Sequence, residues 1–245
     1  MSGVHVRLRA ESLKHCSGSH LNLEVRGHDW QRHLRFRPHI MTSPSPASIR
    51  KAIRSKRQLL SAKENRLHGE CVSRHLASLA AFRRASRVAV YLSVNGELDT
   101  APLIERLLER KQLYLPVLHP FRYGRLLFCQ WDGKHALLAN RFGINEPQCR
   151  STTLMMTLRK LDIVIVPLVA FDTALNRIGM GGGYYDRTFG YARSFRRWKR
   201  PLLIGVAHWF QQVEKIEPSS WDVTLDYVIT EEGITGIRDS FRSRK

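Results

Sequence analysis

No stretch of this 245-residue chain is apolar for long enough to cross a bilayer. Its longest run without a charged residue, Pro201 to Val213, contains a histidine and two glutamines and falls far short of the ~20 apolar residues that a spanning helix needs. No apolar leader core sits near the N-terminus, so a secretory signal is not supported. Cysteine is scarce: the four residues at 16, 71, 129 and 149 form no CxxC pair. This excludes a zinc ribbon or a disulfide frame and predicts reduced, isolated thiols in a cytoplasmic protein. Acidic residues are outnumbered, 21 against 40 lysines and arginines. Basic clusters lie at 50–57, 83–87 and 193–200, and the first two hold no aromatic residue, unlike a single-strand binding surface. No helix-turn-helix, zinc-finger or RNA-recognition signature is present. The net charge of +19 is therefore read as a surface that attracts anionic small molecules. A basic nucleic-acid-binding protein stays open as the alternative.

Two common nucleotide signatures are also missing. Arg177-Ile178-Gly179-Met180-Gly181-Gly182-Gly183-Tyr184-Tyr185-Asp186-Arg187 lacks the Lys-Ser or Lys-Thr of a Walker loop. Tyr184 stands where a dinucleotide fingerprint needs its third glycine. What remains is still a glycine cluster between an apolar strand, Ile163 to Phe171, and a stretch that can be helical. Backbone N–H groups in such a loop can approach phosphate oxygens that a Cβ would block. Arginines at both ends add positive charge, and Asp186 can hold a metal ion. A plain tight turn would need none of these.

Along the chain, residues 1–40 hold six of the eleven histidines and show no helical or strand period. The expectation is a disordered or non-native extension over 1–45, with Met41 as the natural start, followed by a single domain over 46–245. The periodicity predicts a helix from Ala47 and a second from the capping box Ser61-Ala62-Lys63-Glu64 to about Ala81. It predicts strands at 87–94, 113–118, 126–131, 162–169, 202–207 and 226–230. Further helices are expected from Thr100 to Lys111, with Thr100 as N-cap, and near 184–197. The segment 132–160 reads as polar and irregular, and no internal repeat appears. Alternating strands and helices imply an α/β three-layer αβα sandwich around a mostly parallel central sheet. Ligands in such folds bind outside the carboxyl ends of the strands, which would bring Asn95-Gly96-Glu97 and the glycine loop to one edge.

Several segments in this order resemble the 5-formyltetrahydrofolate cyclo-ligase family in its bacterial form. They are Ile49-Arg50, Tyr91 to Thr100, Leu115-Pro116-Val117, Pro167 to Asp172, Arg177 to Arg187, Gly205-Val206-Ala207, Gln211, and Trp221 to Asp226. The resemblance covers roughly 48–232. It implies an ATP- and Mg²⁺-dependent ligase of one-carbon metabolism that converts 5-formyltetrahydrofolate to 5,10-methenyltetrahydrofolate, releasing ADP and phosphate. The folate may be polyglutamylated, the protein is expected to be a monomer, and neither membrane nor nucleic acid is an implied partner. Another phosphate-binding α/β enzyme, such as a sugar-phosphate isomerase or CoA-transferase, remains an alternative at this point.

The resemblance also implies residue roles. Arg50 on the first helix, Arg54, Arg177, Ile178, Gly179, Met180, Gly181, Gly182, Gly183, Tyr184 and Tyr185 would contact ATP. Arg177 and Asp186 would be catalytic. Leu92 and Glu97, with Met180 to Tyr184, would bind folate, the Glu97 carboxylate accepting paired hydrogen bonds from the pterin. Asp186 and Asp222 would hold Mg²⁺, with Asp226 as a fallback. The chain departs from the family at Pro46 and at Gly182, where lysines are usual. No Ser/His/Asp or Cys/His constellation is evident. This fits phosphoryl transfer, which rests on positioning and charge neutralisation.

Overall fold

The structure, a computed structural model, describes residues 44–149, 155–156, 158–190 and 201–236. The expected N-terminal extension therefore lies almost wholly outside the described residues, as do the basic cluster at 193–200 and the second half of the helix expected over 184–197.

Helix α1 (Pro46–Gln58) starts where Ser45 Oγ accepts the Ser48 N–H at 3.2 Å. Pro46 occupies the first turn, where a missing N–H costs nothing. Helix α2 (Ala62–Ser78) carries the expected capping box. Ser61 Oγ accepts the Glu64 N–H, and Glu64 Oε2 accepts the Ser61 N–H at 2.9 Å. It stops short of Ala81 because Leu79 turns extended, and α3 (Ala80–Arg84) follows as a separate turn. Strand β1 (Arg87–Ala89) is shorter than expected, and helix α4 (Ala101–Arg110) follows. Thr100 is the N-cap residue of α4, as expected, and its carbonyl accepts the Ile104 N–H at 2.9 Å, but its side chain does not cap the helix. Its hydroxyl donates to the Tyr91 carbonyl at 2.9 Å and accepts the Ser93 N–H, while Asp99 Oδ1 accepts the Ala101 N–H. That local bonding pulls residues 91–100 out of the sheet and folds them into a tight turn.

Strands β2 (Gln112–Leu118) and β3 (Leu126–Gln130) fall close to where they are expected. The segment read as irregular contains a hairpin, β4 (Leu137–Ala139) and β5 (Asn145–Pro147), and an edge strand, β6 (Met155–Met156). Asn140 Oδ1 accepts the Phe142 and Ile144 N–H groups, and Gly143 takes a left-handed φ of 72°. This turn chemistry was legible in Asn140-Arg141-Phe142-Gly143 but was outweighed by the polar composition. Strand β7 (Ile163–Val166) ends at Pro167, which cannot donate to a ladder. A small hairpin, β8 (Ala170–Phe171) and β9 (Arg177–Ile178), leads to α5 (Tyr184–Phe189). Then come β10 (Leu202–Val206), β11 (Tyr227–Thr230) and β12 (Gly233–Gly236).

The sheet has eight strands in the order β12-β11-β10-β7-β1-β2-β3-β6. The five from β11 to β2 run parallel, and the outer strands pair antiparallel: the edge strand β12 on one side, β3 and the edge strand β6 on the other. Side chains alternate across it as strand geometry demands. Val88, Val90, Leu113, Leu115, Ile163, Ile165, Ile204 and Ile229 pack with Val72 and Leu76 of α2, Phe82 of α3 and Leu103 and Leu107 of α4. Ala89, Tyr114, Val164, Val166, Leu203 and Val228 face the opposite layer, where Phe189 of α5 and the loop residues Leu168, Leu175 and Leu225 cover them.

One cysteine expectation is overturned. Cys129 of β3 and Cys149 are disulfide-bonded with Cα atoms 6.0 Å apart, although twenty residues separate them. The unforeseen β4–β5 hairpin carries the chain back beside β2, with Glu146 Oε2 accepting the Leu118 N–H, and delivers Cys149 to its partner. Cys71 is free and half-buried. The thiols therefore no longer argue for a cytoplasmic location. No helix among the described residues is long and apolar enough to cross a membrane.

α2 crosses the 91–100 turn at Gly69, where an added Cβ would sit 2.2 Å from the Asp99 carbonyl oxygen. Gly69→Ala is expected to destabilise the fold by about 1–3 kcal/mol in chemical denaturation, although alanine is the better helix former. A gain in stability would contradict this close approach.

Candidate active site

Three parallel strands present their carboxyl ends to one cavity of about 410 Å³, as open α/β sheets favour. Past β1 come Tyr91, Leu92, Val94, Asn95 and Glu97; β2 contributes Leu115, Pro116 and Leu118, and β7 leads into Pro167. The glycine loop closes one side with Gly179, Met180, Gly182 and Gly183, followed by Tyr184, Tyr185 and Asp186. The opposite wall is the β4–β5 hairpin, through Asn140, Phe142, Ile144, Asn145 and Glu146.

Glu97 is buried at 5% exposure. Its Oε2 accepts the Val94 N–H at 3.2 Å, and its carbonyl accepts from Asn65 Nδ2 of α2 at 3.0 Å. Burial raises its pKa above the ordinary carboxylate value, more than the Val94 hydrogen bond and the Arg57 charge lower it. Arg57 is itself buried behind the site. Its Nη2 donates to the Leu168 carbonyl at 2.6 Å, and burial holds its pKa below the usual guanidinium value despite the Glu97 charge. Arg50, two turns earlier on the same face of α1, donates from Nε to the Gly179 carbonyl at 2.8 Å and so fastens α1 to the glycine loop. Arg54 is exposed and does not line the cavity.

The loop adopts the backbone that its glycines permit. Gly181 and Gly183 have φ of 100° and 64°, values a side chain would strain. Gly183 lies directly before α5, and the Arg187 side chain donates to the carbonyls of Gly182 and Gly124, fixing the loop from beneath. Arg177 is almost fully enclosed, its side chain 5% exposed, and its Nη2 donates to Asp186 Oδ1 at 2.7 Å. The same oxygen accepts the Val223 N–H at 3.3 Å. Asp186 is thus the joint between the glycine loop and the 219–226 segment.

The remaining expected residues divide. Leu92, Glu97, Arg177, Gly179, Met180, Gly182, Gly183, Tyr184, Tyr185 and Asp186 all line the cavity. Ile178 is instead buried in a core cluster with Ile49 and Ile53, and Gly181 sits at the surface outside the lining. Asp222 lies outside the lining as well. Its Oδ2 accepts the Ser219 N–H at 2.8 Å, but it directly precedes Val223, whose N–H reaches Asp186. Asp226 is structural in its contact with Leu203, whose N–H its Oδ2 accepts at 2.9 Å. Tyr184 is held by Arg141 Nη2 at 2.8 Å from its hydroxyl, and the Phe142 ring meets it edge-on at 5.9 Å. The hairpin residues Asn140, Phe142 and Glu146 were missed from sequence because their segment carried no regular period. Glu146 Oε2 accepts from Asn140 Nδ2 at 3.1 Å, which sets the hairpin's polar face against the cavity.

A cavity lined by apolar walls, one buried carboxylate and a cation-flanked glycine loop can hold a flat polar heterocycle beside a phosphate chain. Comparison with known proteins agrees. The profile of the 5-formyltetrahydrofolate cyclo-ligase family matches residues 42–231. The 5-formyltetrahydrofolate cyclo-ligase of Escherichia coli strain K12 is 41% identical over 179 residues, covering 73% of this chain and 96% of that protein. That of Haemophilus influenzae is 39% identical over 188 residues, with 76% and 97% covered. The solved structure of Aquifex aeolicus 5,10-methenyltetrahydrofolate synthetase superposes with a TM-score of 0.65 at 33% identity, covering 79% of this chain and 93% of that one. These matches favour the cyclo-ligase reading over the nucleic-acid-binding and isomerase alternatives. The chain belongs to the 5-formyltetrahydrofolate cyclo-ligase family.

Proposed function

We propose that this protein converts 5-formyltetrahydrofolate and ATP to 5,10-methenyltetrahydrofolate, ADP and phosphate. The observation that carries this reading is the meeting of buried Glu97 and the Arg50-fastened glycine loop on one cavity. The formyl oxygen attacks the γ-phosphorus and ADP departs, leaving an N5-iminium phosphate. N10 then attacks the formyl carbon, the C–O bond breaks, and phosphate leaves with the proton that N10 gives up.

Glu97 accepts the pterin amino and ring N–H groups and fixes the ring plane. Leu92 and Met180 pack against the heterocycle, and Tyr184 offers a face on which a ring can stack. The backbone of Gly179 to Gly183 cradles the phosphates, with Arg177 and Arg50 supplying positive charge where it develops on the transferred group. Arg54 follows Arg50 by one turn on α1 and adds to the field there. Ile178 acts through its backbone.

The donor set beside the loop suits Mg²⁺ in part. Asp186 lines the cavity and can take one position, with Asp222 adjoining through the 219–226 segment, while phosphate oxygens and water complete an oxygen shell. When bound, Mg²⁺ neutralises phosphate charge. With Pro46 and Gly182 in place of lysines, Arg50 and Arg177 carry more of the remaining charge. Arg50→Ala is expected to raise the KM for ATP about 10-fold, and Arg54→Ala to change it less. The reverse ranking would overturn the assignment. A monomer acting in the cytoplasm, with attraction of anionic polyglutamate tails by the basic surface, completes the proposal.

A further inference from the structure

A second constellation lies away from the cavity, behind Arg57. His68 in the middle of α2, His208 two residues past β10 and Glu231 immediately after β11 converge, although they are up to 163 residues apart in sequence. Their facing donor atoms all lie within 4.8 Å of one another. His68 Nδ1 stands 3.0 Å from His208 Nδ1 and 3.3 Å from Glu231 Oε1. None of the three lines the cavity.

We propose that His68, His208 and Glu231 form a binding site for a zinc-class dication. Bonds of about 2.0–2.1 Å to a tetrahedral zinc place adjacent donors about 3.3–3.4 Å apart. The two separations from His68 Nδ1, 3.0 and 3.3 Å, are close to this, and the His208–Glu231 pair, within 4.8 Å, draws together on binding. The hydrogen-bond accounting points the same way. Three lone-pair donors face one another, and a single proton on His68 Nδ1 can serve only one of them fully. Glu231 Oε1 is buried with no hydrogen-bond partner, and its side chain is only 10% exposed. Leaving a buried carboxylate oxygen unpartnered is costly, and a dication would accept all three lone pairs at once.

The second sphere holds the ligands in place. Glu231 Oε2 accepts the Trp209 N–H at 3.0 Å, which turns Oε1 toward His68. His208 is fully buried, stacked on Phe210 at 5.1 Å and 5°, and its backbone N–H donates to Gln211 Oε1. The Phe210 stack fixes the His208 ring plane and the Trp209 bond fixes the carboxylate, while His208 Nε2 is buried without a hydrogen-bond partner. An imidazole binds a metal through the lone pair of its neutral form, and His208 is shut off from bulk water. The Arg57 charge opposes a cation here, and the Glu231 carboxylate offsets it.

Imidazole donors favour zinc-class ions over Mg²⁺. His68 is one-quarter exposed, which leaves an entry path and room for a water ligand. Occupancy would tie α2 to the ends of β10 and β11. It would thereby brace Asn65 of α2, which holds the Glu97 turn through the Glu97 carbonyl and the Asp99 N–H.

The test uses the full chain stripped of metal by a chelator, then titrated with Zn²⁺ and followed by thermal unfolding and bound-metal stoichiometry. The expected result is a rise in Tm of about 5–10 °C at a hundredfold excess over Kd. His68→Ala and Glu231→Gln, confirmed folded by circular dichroism, should each lose that rise and bind one ion fewer. Both variants keep the histidines of residues 1–40, so those residues cannot account for a difference. No shift in the unaltered chain, or the same shift and stoichiometry in both variants, would overturn the site.

Discussion

Asp186→Asn is expected to lower turnover by about 10²–10³-fold, the usual loss when one preorganised charge at a reacting phosphate is removed. Asparagine keeps the size of the side chain and an oxygen for the Arg177 and Val223 donors, so the loss should lie in kcat with the fold intact. Asp186→Ala is a different experiment. Arg177 is almost fully enclosed and pairs with Asp186 at 2.7 Å. Truncation strands that guanidinium, and breaking a buried pair costs about 3–5 kcal/mol. Because the Asp186 side chain is 20% exposed, the lower end of that range applies. The alanine variant should therefore lose Tm as well as turnover. Unchanged turnover in the asparagine variant, with Tm preserved, would remove Asp186 from the chemistry.

Glu97→Gln should act on the other substrate, raising the KM for 5-formyltetrahydrofolate about 10²-fold, the worth of two charge-assisted hydrogen bonds partly lost. Its pH dependence has a definite sign. Burial raises the Glu97 pKa above 4.5, and only the ionised carboxylate accepts both pterin donors. Folate affinity should therefore fall on acidification while ordinary carboxylates are still charged, and the glutamine variant should lose that dependence. Stability runs the opposite way. A raised folded pKa gives a contribution that is full below the unfolded pKa and lost as pH rises through the folded one. An ionised Glu97 thus costs stability at neutral pH, and Glu97→Gln should not lower Tm there. Equal KM values for folate in the two proteins across the acid range would contradict the assignment.

The parallel strands and the glycine loop were legible in the sequence because each rests on short-range chemistry. Continuous apolar runs mark β2 and β10, Ser61 and Glu64 mark the start of α2, and Gly181 and Gly183 mark backbone that other residues avoid. The far wall of the cavity was not legible. Asn140, Phe142 and Glu146 gain their positions from a hairpin whose turn competes with a polar, aperiodic background. The Cys129–Cys149 bridge depends on that hairpin, so isolated spacing could not reveal it. Arg57 illustrates a third limit. In the sequence it is one of the basic cluster at 50–57, yet it is buried, because the 91–100 turn packs over it so closely that a Cβ on Gly96 would lie 3.2 Å from its own. The roles of Asp222 and Arg54 likewise depend on where bound phosphates lie, which periodicity does not encode.

The central claim is that one cavity joins folate to ATP. The most direct measurement is absorbance in the methenyl-folate band after mixing the purified chain with 5-formyltetrahydrofolate, ATP and Mg²⁺. The band should grow only when all three are present, with one ADP formed per methenyl product. A folded protein that yields no band, or a band that grows equally without ATP, would contradict it.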